Sequence, residues 1–126
     1  MQRTTIHADG APAAVGPYVH AVRLGDLLFT SGQVGLDPAT GKLVPGGIEA
    51  ETRRALQNLE AILRAAGTGF DRVVKASVFL IDMDEFAAMN AVYASTFGDV
   101  RPARTTVAVS RLPVGARVEI DLVASV

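Results

Sequence analysis

The chain has 126 residues, 49% of them hydrophobic and 20% charged, with a formal net charge of -1 and no cysteine. That composition describes one ordinary domain, expected to run over residues 1–126 and able to bury roughly two-thirds of its unfolded surface without a disulfide or metal staple. The missing thiols exclude disulfide frameworks, thiolate zinc sites and cysteine nucleophiles, and the balanced, scattered charge offers no footprint for a dedicated nucleic-acid binder.

The opening stretch MQRTTIHADGAPAAVGPY has no uninterrupted apolar run of the signal-peptide kind, and no segment approaches the ~20 apolar residues that span a bilayer. A cytoplasmic protein without a membrane partner is expected. Two β-rich runs follow, VHAVRL and LLFTSGQ, separated by Gly25-Asp26, a pair suited to a tight hairpin turn. Leu36 to Gly47 reads as one long loop. From Ile48 the period changes. Thr52, Ala55, Leu56, Leu59, Ile62, Leu63 and Ala66 recur at three- and four-residue spacing and paint one face of a helix, with Glu49 and Glu51 in its first turns and Gly67 at its end.

VVKASVFLI then predicts a central strand in which Val74, Ala76, Val78 and Leu80 form one apolar face and Lys75 and Ser77 interrupt the other. Asp82 and Glu85 have the spacing of a capping box, ahead of a second amphipathic helix marked by Phe86, Met89, Asn90, Tyr93 and Phe97 and closed by Gly98. RTTVAVSRL and RVEIDLVAS alternate as strands, and the Pro113 to Ala116 turn between them predicts a closing hairpin. The element order points to an α+β fold: a mixed sheet with two helices packed on one face, its other face left to water or a partner.

Chemistry is sought first in that closing hairpin. If its apolar positions share the helix-covered face, then Arg104, Thr106, Glu119 and Asp121 project together from the opposite one. A solvated face with cross-strand ion pairs is the competing reading. An anion site gains from Pro102-Ala103, which sets Arg104 at the strand mouth, and from the association that an uncovered sheet face invites. Ser31-Gly32-Gln33 lets backbone approach a ligand closely, but no GxSxG elbow surrounds Ser31. Its hydroxyl is expected to satisfy the strand end. Lys75 reads as a solvated or ion-paired side chain. His7 and His20 lack the spacing and carboxylate company of a metal cluster, so no metal site is expected. Tyr18, after Gly16-Pro17, has the form either of simple packing or of a phenol capping a pocket.

With these residues in view, the chain resembles the RidA family, the YjgF-type reactive intermediate deaminases. The resemblance rests on GPY, TSGQVGLDPATGK, VVKASVFLIDMDEFAAMNAVYASTF and PARTTVAVSRLPVGARVEID, in that order. It implies a chorismate-mutase-like fold assembled as a homotrimer, with the sheets around a central barrel and three pockets between subunits. It also implies hydrolysis of 2-imino and enamino acids, such as 2-iminobutanoate and 2-iminopropanoate, to 2-oxo acids and ammonium without any cofactor. By the same resemblance Arg104 grips the substrate carboxylate and Glu119 activates water. Thr106 helps hold the substrate or that water through its backbone, and Tyr18, Ser31 and Gly32 line the pocket; Asn90 matches a structural polar residue. Many family members carry Cys at the Thr106 position and an aromatic residue at that of Arg101. The rival from another class is a non-catalytic trimer that binds small carboxylates. RNA cleavage, attached to some relatives, is disfavoured by the scattered charge and the absence of a paired-histidine motif.

Overall fold

A computed structural model describes all 126 residues. Arg3–Ile6 (β1), Ala21–Leu24 (β2) and Leu27–Thr30 (β3) form an antiparallel meander, in which Leu24 faces Leu27 across the Gly25-Asp26 turn as the two-residue loop requires. β1 is an addition to the sequence reading: four mostly exposed residues, RTTI, pair along the outer edge of β2. The first helix, Gly47–Ala65 (α1), buries Ala55, Leu56, Leu59, Ile62 and Leu63. It closes as expected around Gly67. With φ at 83°, Gly67 lets its own N–H reach the Arg64 carbonyl and lets the Thr68 N–H reach the Leu63 carbonyl.

Val73–Leu80 (β4) lies inside the sheet, between Ala103–Ala108 (β5) on one side and Val118–Ser125 (β6) on the other. The full order is β1-β2-β3-β6-β4-β5, with β4 and β5 parallel and every other pairing antiparallel. The expected closing hairpin is therefore wrong. The Pro113 to Ala116 turn joins two strands that never pair, because β4 occupies the place between them. The expected apolar face of β4 also needs one change. A register shift between Val73 and Lys75 turns Val74 outward, half-exposed, while Ala76, Val78 and Leu80 are buried.

The second helix, Phe86–Phe97 (α2), packs with α1 on the same face of the sheet, and Met89, Val92, Tyr93 and Phe97 join one core cluster with Val118, Ile120 and Leu122 of β6. Half of the expected capping box forms. The Asp82 carboxylate accepts from the Asp84 N–H at 2.9 Å, whereas Glu85 turns away to receive Arg117 Nε on both oxygens at 2.9 and 3.0 Å. Glu51 departs further from its expected role beside the helix N-terminus. Only 3% exposed, it accepts the Arg117 backbone N–H at 2.8 Å, and burial pushes its carboxyl pKa up against that hydrogen bond. Glu51 and Glu85 thus tie the start of β6 to both helices. The turn just before it carries Val114 at φ 55°, a left-handed conformation rare for a β-branched residue.

The sheet face away from the helices is open. Register places Phe29, Val123 and Lys75 in one row across it, Asp121, Ser77 and Thr105 in the next, and Glu119, Phe79 and Val107 in a third. Phe29 and Val107 are 42% and 39% exposed.

Candidate functional site

β3 does not run straight into β6. After Phe29 opposite Val123, pairing resumes one residue out of step, with Gln33 and Ile120 exchanging hydrogen bonds at 2.9 and 3.0 Å. The extra residue bulges at Ser31-Gly32, and the strand re-aims there. Ser31 Oγ donates to the Val19 carbonyl and its N–H donates to the His20 carbonyl, so the hydroxyl satisfies the strand end as expected. Gly32 lies directly under the Glu119 carboxylate; a Cβ at position 32 would occupy the space that the carboxylate fills.

Around this bulge a cavity of about 370 Å³ opens, lined by Tyr18, Ser31, Gly32 and Glu119 together with apolar groups such as Val15 and Val114. Four of the expected site residues are thereby brought together. Burial raises the Glu119 pKa, and the nearby Asp121 charge raises it further. Asp121 is itself shifted upward by burial, against the opposing pull of a Ser77 hydrogen bond and the Lys75 charge. Lys75 donates to Thr105 Oγ1 at 2.8 Å and lines neither cavity.

Arg104 and Thr106 are elsewhere, and the expectation that they share a face with Glu119 is overturned. Arg104 stands opposite Ala76, and Thr106 opposite Val78; both partners are buried under the helices. Glu119 stands opposite Phe79, on the open face. The expectation placed the apolar residues of β5 inward, but β5 is an edge strand, and its Val107 faces out while Arg104 and Thr106 face the helix side. The Arg104 guanidinium is held there by aromatic faces, with Cζ 4.7 Å from the Tyr93 ring centroid and 5.5 Å from that of Phe86.

This second pocket, of about 360 Å³, is lined by Asn90, Tyr93, Ala94, Arg101, Pro102 and Arg104. Arg104 has no carboxylate partner in the chain. Asn90 Oδ1 and the Tyr93 hydroxyl, both buried beside it, have no hydrogen-bond partner, and the same is true of the Thr106 hydroxyl further along the strand. Burial raises the Tyr93 pKa, and the neighbouring Arg104 and, more weakly, Arg101 oppose the rise. A half-buried, unpaired guanidinium fork among unsatisfied polar atoms is suited to a small planar anion such as a carboxylate.

Three residues that the sequence reading did not assign shape the first cavity. Asn58, fully buried on α1, donates to the carbonyls of Val34 and Leu36 at 3.2 and 2.9 Å and so fixes two lining residues. Glu51 anchors the foot of the Val114 turn through Arg117. Both lie in phase with the apolar stripe of α1, and a polar residue in such a stripe is the signal that would have found them. His20 is the third. Its Nδ1 accepts from the Ala8 N–H at 2.9 Å and its Nε2 faces the Pro12 carbonyl at 2.7 Å, while His7 stacks on its ring at 4.9 Å.

Fold and pockets define an α+β protein with two small cavities, one on each side of its mixed sheet. Residues 8–126 match the family model described as Endoribonuclease L-PSP, and the chain belongs to this family, the YjgF/RidA family. The chain is 48% identical over 122 residues to the 2-iminobutanoate/2-iminopropanoate deaminase of Mus musculus, an alignment covering 97% of this chain and 90% of that one. Its fold is similar to that of a putative endoribonuclease from Thermotoga maritima, with a TM-score of 0.96 and 48% identity over 100% of this chain and 98% of the other. It is also similar to E. coli TdcF with bound serine, with a TM-score of 0.93 and 38% identity over 98% of each chain.

Proposed function

We propose that this chain hydrolyses reactive 2-imino and enamino acids, 2-iminobutanoate and 2-iminopropanoate among them, to 2-oxo acids and ammonium. The observation that carries this reading is the unpaired Arg104 guanidinium, seated over Tyr93 and Phe86 beside polar atoms that lack partners. The kinship with a named deaminase at 48% identity supports it.

The working unit in this proposal is a homotrimer. Arg104 and Glu119 lie on opposite faces of one sheet, so a single chain does not assemble both around one substrate. Packing the open faces together around a three-fold axis would cover Phe29 and Val107 and set the Glu119 cavity of one subunit against the Arg104 pocket of the next. In that shared site Arg104 holds the substrate carboxylate through two parallel N–H donors. Glu119 takes a proton from water as the water oxygen bonds to the imine carbon. Glu119 returns that proton to the nitrogen of the resulting carbinolamine, the C–N bond breaks as the hydroxyl oxygen forms the C=O bond, and the hydroxyl proton passes to the departing ammonia, so that the 2-oxo acid and ammonium leave. A protonated imine is already electrophilic, so orientation and water delivery suffice. Tyr18, Ser31 and Gly32 line the cavity and the Thr106 backbone helps to hold the substrate or water. No cofactor enters this scheme. No helix is long and apolar enough to cross a membrane, and a cytoplasmic setting, where pyridoxal-phosphate enzymes release such imines, fits the reading.

A second reading, a small-carboxylate binder that turns nothing over, is favoured by the serine bound in the structure of E. coli TdcF. The endoribonuclease wording of the family model finds less support in a chain with net charge -1 and basic residues scattered along the sequence. The test is to generate 2-iminobutanoate and 2-iminopropanoate with an amino-acid oxidase and trap the survivors with semicarbazide. Wild type lowers the trapped fraction and Arg104→Ala does not. Equal trapping with and without wild-type protein would leave the binder as the better account.

A further inference from the structure

The wall of the Glu119 cavity that faces away from β6 is built by Pro12 to Val15, in a stretch with no strand or helix. From Ala8 to Tyr18 the only backbone hydrogen bonds within the stretch are local: Ala11 N–H to Ala8 at 3.3 Å and Tyr18 N–H to Gly16 at 2.8 Å. Nothing in the ladder holds this wall in place. The side-chain hydrogen bonds that reach it come from one residue, His20, which is 1% exposed and clamps Ala8 and Pro12 from the start of β2. Because the Ala8 N–H is a donor, Nδ1 must be the bare nitrogen, and Nε2 therefore carries the hydrogen given to Pro12. The His20 carbonyl also receives the Ser31 N–H at 2.9 Å, so the same residue ties the wall to the bulge that seats Gly32 under Glu119.

We infer that His20 is a positioning residue that sets substrate side-chain selectivity by fixing the Pro12–Val15 wall, and that it acts through its two ring hydrogen bonds. The inference rests on the imine-hydrolase reading of this cavity. With both nitrogens committed, His20 does not serve as the acid or base of the reaction. The wall it fixes is apolar, made of Pro12, Ala13, Ala14 and Val15, so the substrate part that meets it is an aliphatic side chain rather than the carboxylate. A loosened wall penalises large aliphatic groups, which touch it, more than a methyl group, which does not.

The side chain that can replace both bonds without a ring is glutamine, whose amide offers one acceptor and one donor at a similar spacing. Leucine fills the space with neither. The experiment measures KM and kcat for 2-iminopropanoate and for a branched-chain 2-imino acid in wild type, H20L and H20Q, and follows hydrogen exchange of the Ala8–Val15 amides in each protein. For H20L, KM is expected to rise about tenfold for the branched substrate but about twofold for 2-iminopropanoate, with kcat held within about twofold. The Ala8–Val15 amides lose protection in H20L, and H20Q restores both readouts. An equal loss for the two substrates, or an H20Q protein as impaired as H20L, overturns the inference. If H20L does not fold, H20N takes its place: it can accept from Ala8 but is too short to reach Pro12, and an intermediate selectivity is expected. A wild-type protein that hydrolyses neither substrate refutes the functional reading alone, because the exchange measurement still tests the clamp.

Discussion

The two pockets of this chain are opposites. The cavity on the open side of the sheet holds a desolvated carboxylate, Glu119, with another acid, Asp121, as its charged neighbour and no cation lining it. The pocket under α2 holds a guanidinium, with Arg101 as a second cation and no carboxylate lining it. A reaction on an imino acid needs both, an anchor for the substrate carboxylate and a base for water. Within one subunit these would neutralise each other if they met. Keeping them on opposite faces leaves Arg104 unpaired and Glu119 prone to hold its proton, and in the proposed trimer the two come together only across a subunit boundary.

The sharpest way to break this comparison is to mutate one pocket per subunit. Arg104→Ala and Glu119→Ala are each expected to lower kcat/KM by about a thousandfold. Mixing the two inactive proteins under conditions of subunit exchange should restore roughly a quarter of wild-type activity, since about three-quarters of random trimers are mixed and each mixed trimer carries one intact site of three. No recovery after verified exchange would mean that each chain works alone. Next in size is Gly32→Ala, whose methyl displaces the Glu119 carboxylate; a loss of about tenfold to a hundredfold in kcat is expected with an unchanged circular dichroism spectrum.

A smaller effect concerns protons. Burial and the Asp121 charge both hold the Glu119 pKa above the ordinary carboxylate range, so the reactive anion forms only as pH rises through that elevated value. The acid limb of kcat/KM therefore sits at higher pH than for an ordinary glutamate. Asp121→Asn removes one of the two causes and moves that limb to lower pH; a limb that stays in place would show that the two acids do not sense each other. Stability runs the opposite way, with the Glu119 contribution greatest below the unfolded carboxylate value and lost as pH rises through the folded one. Smallest is Val114→Gly at the cavity rim. Releasing a β-branched residue from φ 55° should stabilise the fold by about 1 kcal/mol, net of the added chain entropy, and calorimetry reads it as a higher Tm.

The legible parts of this fold were those decided by neighbours in the chain. Gly25-Asp26 leaves two residues between alternating runs, and a two-residue loop has few solutions other than a hairpin. The stripe from Ile48 to Ala66 and the glycine after it describe α1 in the same local way. The closing strands were misread because alternation and a turn do not reveal that a third strand, β4, lies between them. That misreading carried Arg104 to the wrong face, since which side of β5 is buried depends on α2 and on the edge position rather than on the pattern TVAV. β1 was missed because four mostly exposed residues on an edge show no periodicity. The members of the Glu119 cavity were traceable as a group, through the family motifs that carry Tyr18, Ser31, Gly32 and Glu119. Of its scaffolding, Asn58 and Glu51 show only as polar residues in the apolar stripe of α1, and the backbone groups that they and His20 hold lie too far along the chain for the pattern to name.

The position of β6 has a consequence for the order of events in folding. It is the last of the six strands along the chain, yet it sits third from one edge and joins the β1-β2-β3 meander to the β4-β5 pair. During synthesis the earlier strands emerge as two separate sheets, each with a raw edge where β6 belongs, and the Leu28, Ala76 and Val78 side chains have no Ile120 or Leu122 to meet. Cooperative closure must wait until Val118–Ser125 clears the ribosome, so translation leaves a window in which two sticky edges are open to pairing with other nascent chains.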